Sequence, residues 1–245
     1  MRRVDEEPGA RRSLSFLTLP GKDAFFGLER CLAAGGGRAF LWVMVGLVAG
    51  YWLYVPVHEL AHALACWATG GEVTRLEVSP LYGGGLLARV FPWVVSGGEY
   101  AGRLSGFDTH GSDAVYLATD LGPFLFTLLP GVWLLRRGGR LGWPALFGFA
   151  LPWALAPFLS LTGDAYEIGS IVTTWLPPFD EQAALLRGDD LLKVGPAVLA
   201  QGGTAPVAGL GLASLLGAFW AFATYGLGGW LASRLGEPRL ASSSR

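Results

Sequence analysis

From residue 39 the chain turns strongly apolar and stays so to residue 67, broken only by His58, Glu59 and His62. A helix needs about 20 mostly apolar residues to cross a bilayer, so a run over 39–69 is long enough to span with tilt. Three further apolar runs follow, at about 114–135, 141–175 and 206–232. The second ends at Arg136-Arg137-Gly138-Gly139-Arg140, and the third carries Pro144, Pro152 and Pro157. Between the first two runs lies a polar, glycine-rich stretch to Asp113. It holds the alternating segment Val73–Val78, a turn-like Leu81–Gly85 and a second β-rich run Leu86–Val95, a pattern that predicts a hairpin. Pro80 and Pro92 confine its strands to edges or ends.

The pattern therefore predicts an all-α polytopic membrane protein, with about four transmembrane helices and a small β-hairpin insert, residues 71–98, after the first. Residues 39–232 read as one membrane domain, with a polar N-terminal tail at 1–38 and a C-terminal tail at 233–245. Within the first tail, Phe16–Leu32 reads as an amphipathic surface segment or a loose tail, and no removable signal peptide is expected. The region 176–205 reads as a polar loop, and Pro56 marks a point where the first helix can bend.

Composition agrees. Of 245 residues, 52% are hydrophobic and only 15% charged, against about a quarter charged in soluble domains. A net charge of −1 gives no basic face for nucleic acid. Cys31 and Cys66 make no disulfide framework. Lys and Arg gather in both tails and at 136–140, whereas 71–113 and 176–205 carry more acids. The positive-inside rule then places both termini in the cytoplasm, and the basic run reads as a topology signal able to touch anionic head groups.

The chemistry lies in His58-Glu59-Leu60-Ala61-His62. Positions i and i+4 share one face of a helix, so both imidazoles can reach one metal ion, with Glu59 beside them as general base. A chance match is disfavoured twice, because the chain has only three histidines and a charged group in an apolar span costs about 2.5–3.5 kcal/mol. Hydrolytic zinc sites usually have three protein ligands and one open position, so a third ligand is required. Apart from Glu59, the spans hold only Asp120, Asp164 and Glu167. Asp164 is the leading candidate and Glu167, on the same helical face at i+3, the alternate; Asp120 and His110 remain behind them. No other cofactor-binding residues are indicated. His110, flanked by Asp108 and Asp113, reads as a solvated loop residue.

A His-Glu-x-x-His on a hydrophobic helix, a glycine-rich β segment after it and a later intramembrane Asp resemble the site-2 protease family of intramembrane zinc metalloproteases. The resemblance covers about residues 40–175, with Gly122-Pro123 where the family's middle helix carries a Gly-Pro step. It implies Zn2+ as cofactor and hydrolysis of peptide bonds in membrane-embedded or membrane-tethered protein substrates within the lipid bilayer. An exposed strand edge within 73–95 would receive the unwound substrate. The chain departs from the family pattern at Phe126, where Asn is usual, and at Gly163-Asp164-Ala165. These departures keep open a catalytically inactive membrane scaffold that binds a partner protein. A di-iron oxidase would need more histidines, and a transporter more spans and two similar halves.

Overall fold

The computed structural model describes residues 16–240. Its first element, α1 (Leu19–Ala68), is 50 residues long and bends once, at Gly36 (φ 52°). Three consecutive glycines form a weak point there, and glycine takes a positive φ without steric cost. The expected tail is helical over part of its length. Residues 19–35 are helical and packed, with Leu19, Asp23 and Cys31 buried, while residues 1–15 lie outside the described residues. The helix runs through Pro56 without a non-helical residue.

Four helical segments are long and apolar enough to cross a membrane: Gly35–Ala68, Asp113–Leu141, Pro144–Thr173 and Thr204–Arg234. The insert after the first differs from the predicted hairpin. Strand β1 (Glu72–Val78) is followed by a 3₁₀ turn, a short helix α2 (Gly84–Val90), strand β2 (Val94–Ser96) and strand β3 (Gly102–Asp108). The order is β2-β1-β3, with β2 parallel to β1 and β3 antiparallel to it. Residues 86–90 are thus helical, because left-handed Gly83 (φ 82°) starts a helix and Leu-Leu-Ala-Arg are strong helix formers. Leu87 and Ala88 cover the small core of Leu76, Val78 and Val94. A short apolar run does not distinguish strand from helix by period.

The second span is α3 (Asp113–Leu121), a 3₁₀ turn at Gly122–Phe124, a π turn at Thr127–Gly131, and α4 (Val132–Leu141). The third breaks into α5 (Pro144–Leu159) and α6 (Asp164–Thr173). The predicted loop 176–205 contains a short helix α7 (Ala183–Leu186) and an apolar helix α8 (Leu191–Gln201), capped by Asp190. The last span is α9 (Thr204–Arg234).

Glycines set the helix spacing. A Cβ on Gly46 or Gly50 would collide with the carbonyls of Ala145 or Phe149 on α5, and one on Gly148 with that of Val43 on α1. Gly169 and Gly217 do the same between α6 and α9. Small residues at such contacts let backbones approach closely, a main source of helix association in membranes.

At one end of the bundle α1, α4, α9 and the C-terminal segment meet through charge. Arg136 and Asp23 are both fully buried and pair at 2.8 Å; Arg136 Nη1 also donates to the Gly229 carbonyl at 2.6 Å. Tyr225 donates to Asp23 at 3.0 Å, and Arg137 and Arg140 hold buried Glu237 at 3.1 and 2.7 Å. Of the basic run 136–140, Arg136 is turned into the protein, while Arg137 and Arg140 pair with Glu237 and stay partly exposed. Leu240, the last described residue, also reaches this cluster through its backbone N–H on Asp23. Removing one partner of a buried pair leaves the other charge uncompensated, at about 3–5 kcal/mol. Arg136→Ala is expected to destabilise the detergent-solubilised protein by that amount, measured by chemical unfolding. The paired change Asp23→Leu with Arg136→Met should recover most of the loss.

Candidate metal centre

His58, Glu59 and His62 lie in the second half of α1, each less than a tenth exposed. The i, i+4 spacing brings the two imidazoles edge to face, with Nε2 atoms 3.2 Å apart. Asp164, the first residue of α6, reaches them from the third span, with Oδ2 3.0 Å from His58 Nε2 and Oδ1 3.7 Å from His62 Nε2. Among the described residues these three form the group able to hold a metal ion. The break at 160–163 is what lets α6 begin at this depth, and a helix N-terminus favours a carboxylate.

The donor set fits zinc. With Zn–N and Zn–O bonds of about 2.0–2.1 Å in a tetrahedron, ligand atoms lie about 3.3–3.4 Å apart; the two Nε2 atoms are 3.2 Å apart, and one ligand atom from each of the three residues lies within 4.8 Å of the others. Asp164 Oδ2 is buried without a hydrogen-bond partner despite its nearness to His58, so the contact lacks the alignment of a hydrogen bond.

The outer ring nitrogens are engaged. His62 Nδ1 lies 2.9 Å from the Thr119 carbonyl on α3. A carbonyl only accepts, so this nitrogen carries the proton and Nε2 presents its lone pair inward. His58 Nδ1 meets the Tyr54 hydroxyl at 2.5 Å, one turn earlier on the same face. Tyr54 in turn packs edge-on against Trp153, with ring centroids 5.5 Å apart, and Trp153 donates to the Gly50 carbonyl at 3.2 Å. Gly122 brings α3 against α1 at Ala61; a Cβ there would lie 2.6 Å from the Ala61 carbonyl oxygen. Glu59 points to the sheet and shares the cavity wall with Leu104 of β3. Gly102 lies against that side chain, since a Cβ there would sit 2.8 Å from Glu59 Cδ.

The other candidates fall elsewhere. Glu167 is buried and accepts a hydrogen bond from the Tyr116 hydroxyl, and Asp120 lies beside it along the cavity. His110 is exposed on the loop before α3, 3.5 Å from Asp108, while Asp113 is held by Arg187 and Trp175. The structure thus gathers Asp164, and not Glu167, Asp120 or His110, with the two histidines. A cavity of about 580 Å3 opens at the centre, lined by Glu59, His62 and Asp164 together with β3 and the start of α8.

Residues 31–98 match the family model described as Peptidase M50B-like. The match supports membership of the site-2 protease family. The M50B-like segment contains His58, Glu59 and His62 and runs through β2, while Asp164 lies beyond it. No curated protein and no solved structure matches the chain. With four helices long and apolar enough to cross a membrane, the chain is a multi-pass membrane protein that is similar to these peptidases over residues 31–98.

Tyr54, Thr119, Gly102 and Leu104 join the site without a motif of their own. Only Tyr54 carried a signal, its position four residues before His58 on the same helical face. Partners that orient metal ligands typically contribute 10–100-fold in metal affinity. Tyr54→Phe is therefore expected to weaken zinc binding by about 10–100-fold, read by competition with a chromophoric chelator.

Proposed function

We propose that the chain is a zinc-dependent intramembrane metalloendopeptidase that hydrolyses peptide bonds in membrane-embedded or membrane-tethered proteins. The convergence of His58, His62 and Asp164 beside Glu59, at largely buried positions of two helices, carries this reading. His58, His62 and Asp164 would hold Zn2+. When bound, the ion supplies a Lewis acid for the scissile carbonyl and lowers the pKa of water towards neutrality.

The chain's own groups do the rest. Glu59 takes the proton of the attacking water and passes it to the leaving amine. Gly102 of β3 lies against its carboxylate at the cavity side of α1. A helical substrate hides its carbonyls in its own hydrogen bonds and must unwind first. Strand addition then gives the freed backbone new partners. The strand placed for this is β3, which ends the sheet and lines the cavity with Gly102, Arg103, Leu104, Ser105 and Phe107; it lies beyond the 73–95 segment expected from sequence. The charge distribution supports cytoplasmic termini.

One observation favours an inactive scaffold as the second reading. Phe126, where the family usually has Asn, packs its ring 5.8 Å from Trp153 and offers no amide to a substrate strand.

Zinc content per chain in detergent-purified protein separates the outcomes. About one zinc, lost in His62→Ala, is expected; well-folded protein with none would remove the protease reading. Glu59→Gln should keep its zinc and lose about 10²–10⁴-fold in cleavage, whereas a scaffold would keep its cellular effect in that variant. Gly102→Ala displaces Glu59 without touching a ligand. It should cost up to about 10²-fold in turnover at unchanged zinc content.

A further inference from the structure

The cavity beside the centre is strongly acidic. Glu59, Asp120, Asp164, Glu167, Asp189 and Asp190 all line it, and the one arginine among its lining residues is Arg103. That arginine pairs with Asp189 at 2.7 Å. Asp190 caps α8 through the Leu192 backbone N–H and lies 3.7 Å from Lys193, and Glu59 and Asp164 belong to the centre itself. Two carboxylates are left over. Glu167 has the Tyr116 hydroxyl as its hydrogen-bond partner. Asp120 is only 4% exposed, and its Oδ2 has no partner at all.

A buried carboxylate oxygen without a partner is costly, and a cation that hydrogen-bonds to it removes the cost. The occupant's chemistry follows from the surroundings. A divalent ion such as calcium takes six to eight oxygen ligands, more than these two side chains offer. A lysine or arginine head needs only two or three acceptors and brings an apolar stem. The same cavity supplies cover for the stem in Phe107 and Tyr116, whose rings pack 5.6 Å apart, and in Leu104 and Leu192.

We propose that Asp120 and Glu167 form a specificity subsite for a basic side chain of the bound peptide, next to the scissile bond. The inference rests on the protease reading for the identity of its ligand. The subsite selects substrates with a lysine or arginine near the cleavage point. It also helps unwinding, because an ion pair formed only once the segment is extended favours the extended form.

The test is equilibrium binding to the zinc-loaded full-length chain in detergent, carrying Glu59→Gln to prevent turnover. The probes are fluorescent 12-residue apolar peptides with one lysine moved position by position, each with a norleucine and a glutamate counterpart. At one position lysine is expected to bind at least about tenfold more tightly than norleucine, and glutamate more weakly than either. Asp120→Asn should shrink the lysine advantage below about threefold with zinc content unchanged, and Glu167→Gln should reduce it as well. Should Asp120→Asn lose zinc or fail to fold, Glu167→Gln decides. Equal binding of lysine and norleucine at every position, or an advantage that survives both variants, overturns the subsite. Wild-type cleavage of the same peptides is scored separately. Lysine-selective binding without any cleavage upholds the subsite and counts against the protease reading.

Discussion

An ionisable side chain inside an apolar helix persists only if protein groups or a bound ion satisfy it, since no bulk water is at hand. His58, Glu59 and His62 impose this condition three times within five residues of α1. The Tyr54 hydroxyl one turn earlier meets His58, the Thr119 carbonyl on α3 meets His62, and Glu59 lies against Gly102 on β3. The inner faces of the two imidazoles meet the Asp164 carboxylate from α6. The rest of the fold brings these elements to one point.

The convergence depends on backbone approaching backbone. Gly122 seats α3 against Ala61, one residue before His62, and Gly46, Gly50 and Gly148 seat α5 against α1. Gly169 and Gly217 pin α6, and with it Asp164, to α9. A side chain at any of these points would separate helices whose groups must meet within about 3 Å at the centre. The many glycines of this chain therefore act at defined contacts.

Much of this was legible in the sequence, for reasons that also mark where reading stops. The i, i+4 histidines are a local pattern, and the scarcity of intramembrane acids left Asp164 as the leading partner; α6 starting at Asp164 gives that choice its geometry. Other parts depend on contacts distant in sequence. The peptide carbonyl of Thr119 carries no residue signature. Gly102–Asp108, with two glycines and three polar side chains, reads as loop and becomes a strand only by pairing with β1. Residues 86–90 are helical because Gly83 turns the chain and a core waits beneath. The fate of Arg136 was equally hidden, since its partner Asp23 lies 113 residues away.

One consequence of the arrangement concerns β3. This strand closes the sheet, lines the cavity, and at Gly102 lies against the carboxylate of Glu59. In the proposed reaction the strand that receives the substrate backbone also positions the general base. Substrate placement and base placement then share one rigid element, so the distance between attacking water and scissile carbonyl does not depend on two loops moving independently. Such pre-organisation can contribute several kcal/mol to a barrier otherwise raised by misalignment. Gly102 is the residue that permits it, because β3 can lie against Glu59 only where a side chain is missing. The same contact ties the sheet to α1 and the centre to the membrane bundle, so the insert acts as one wall of the site.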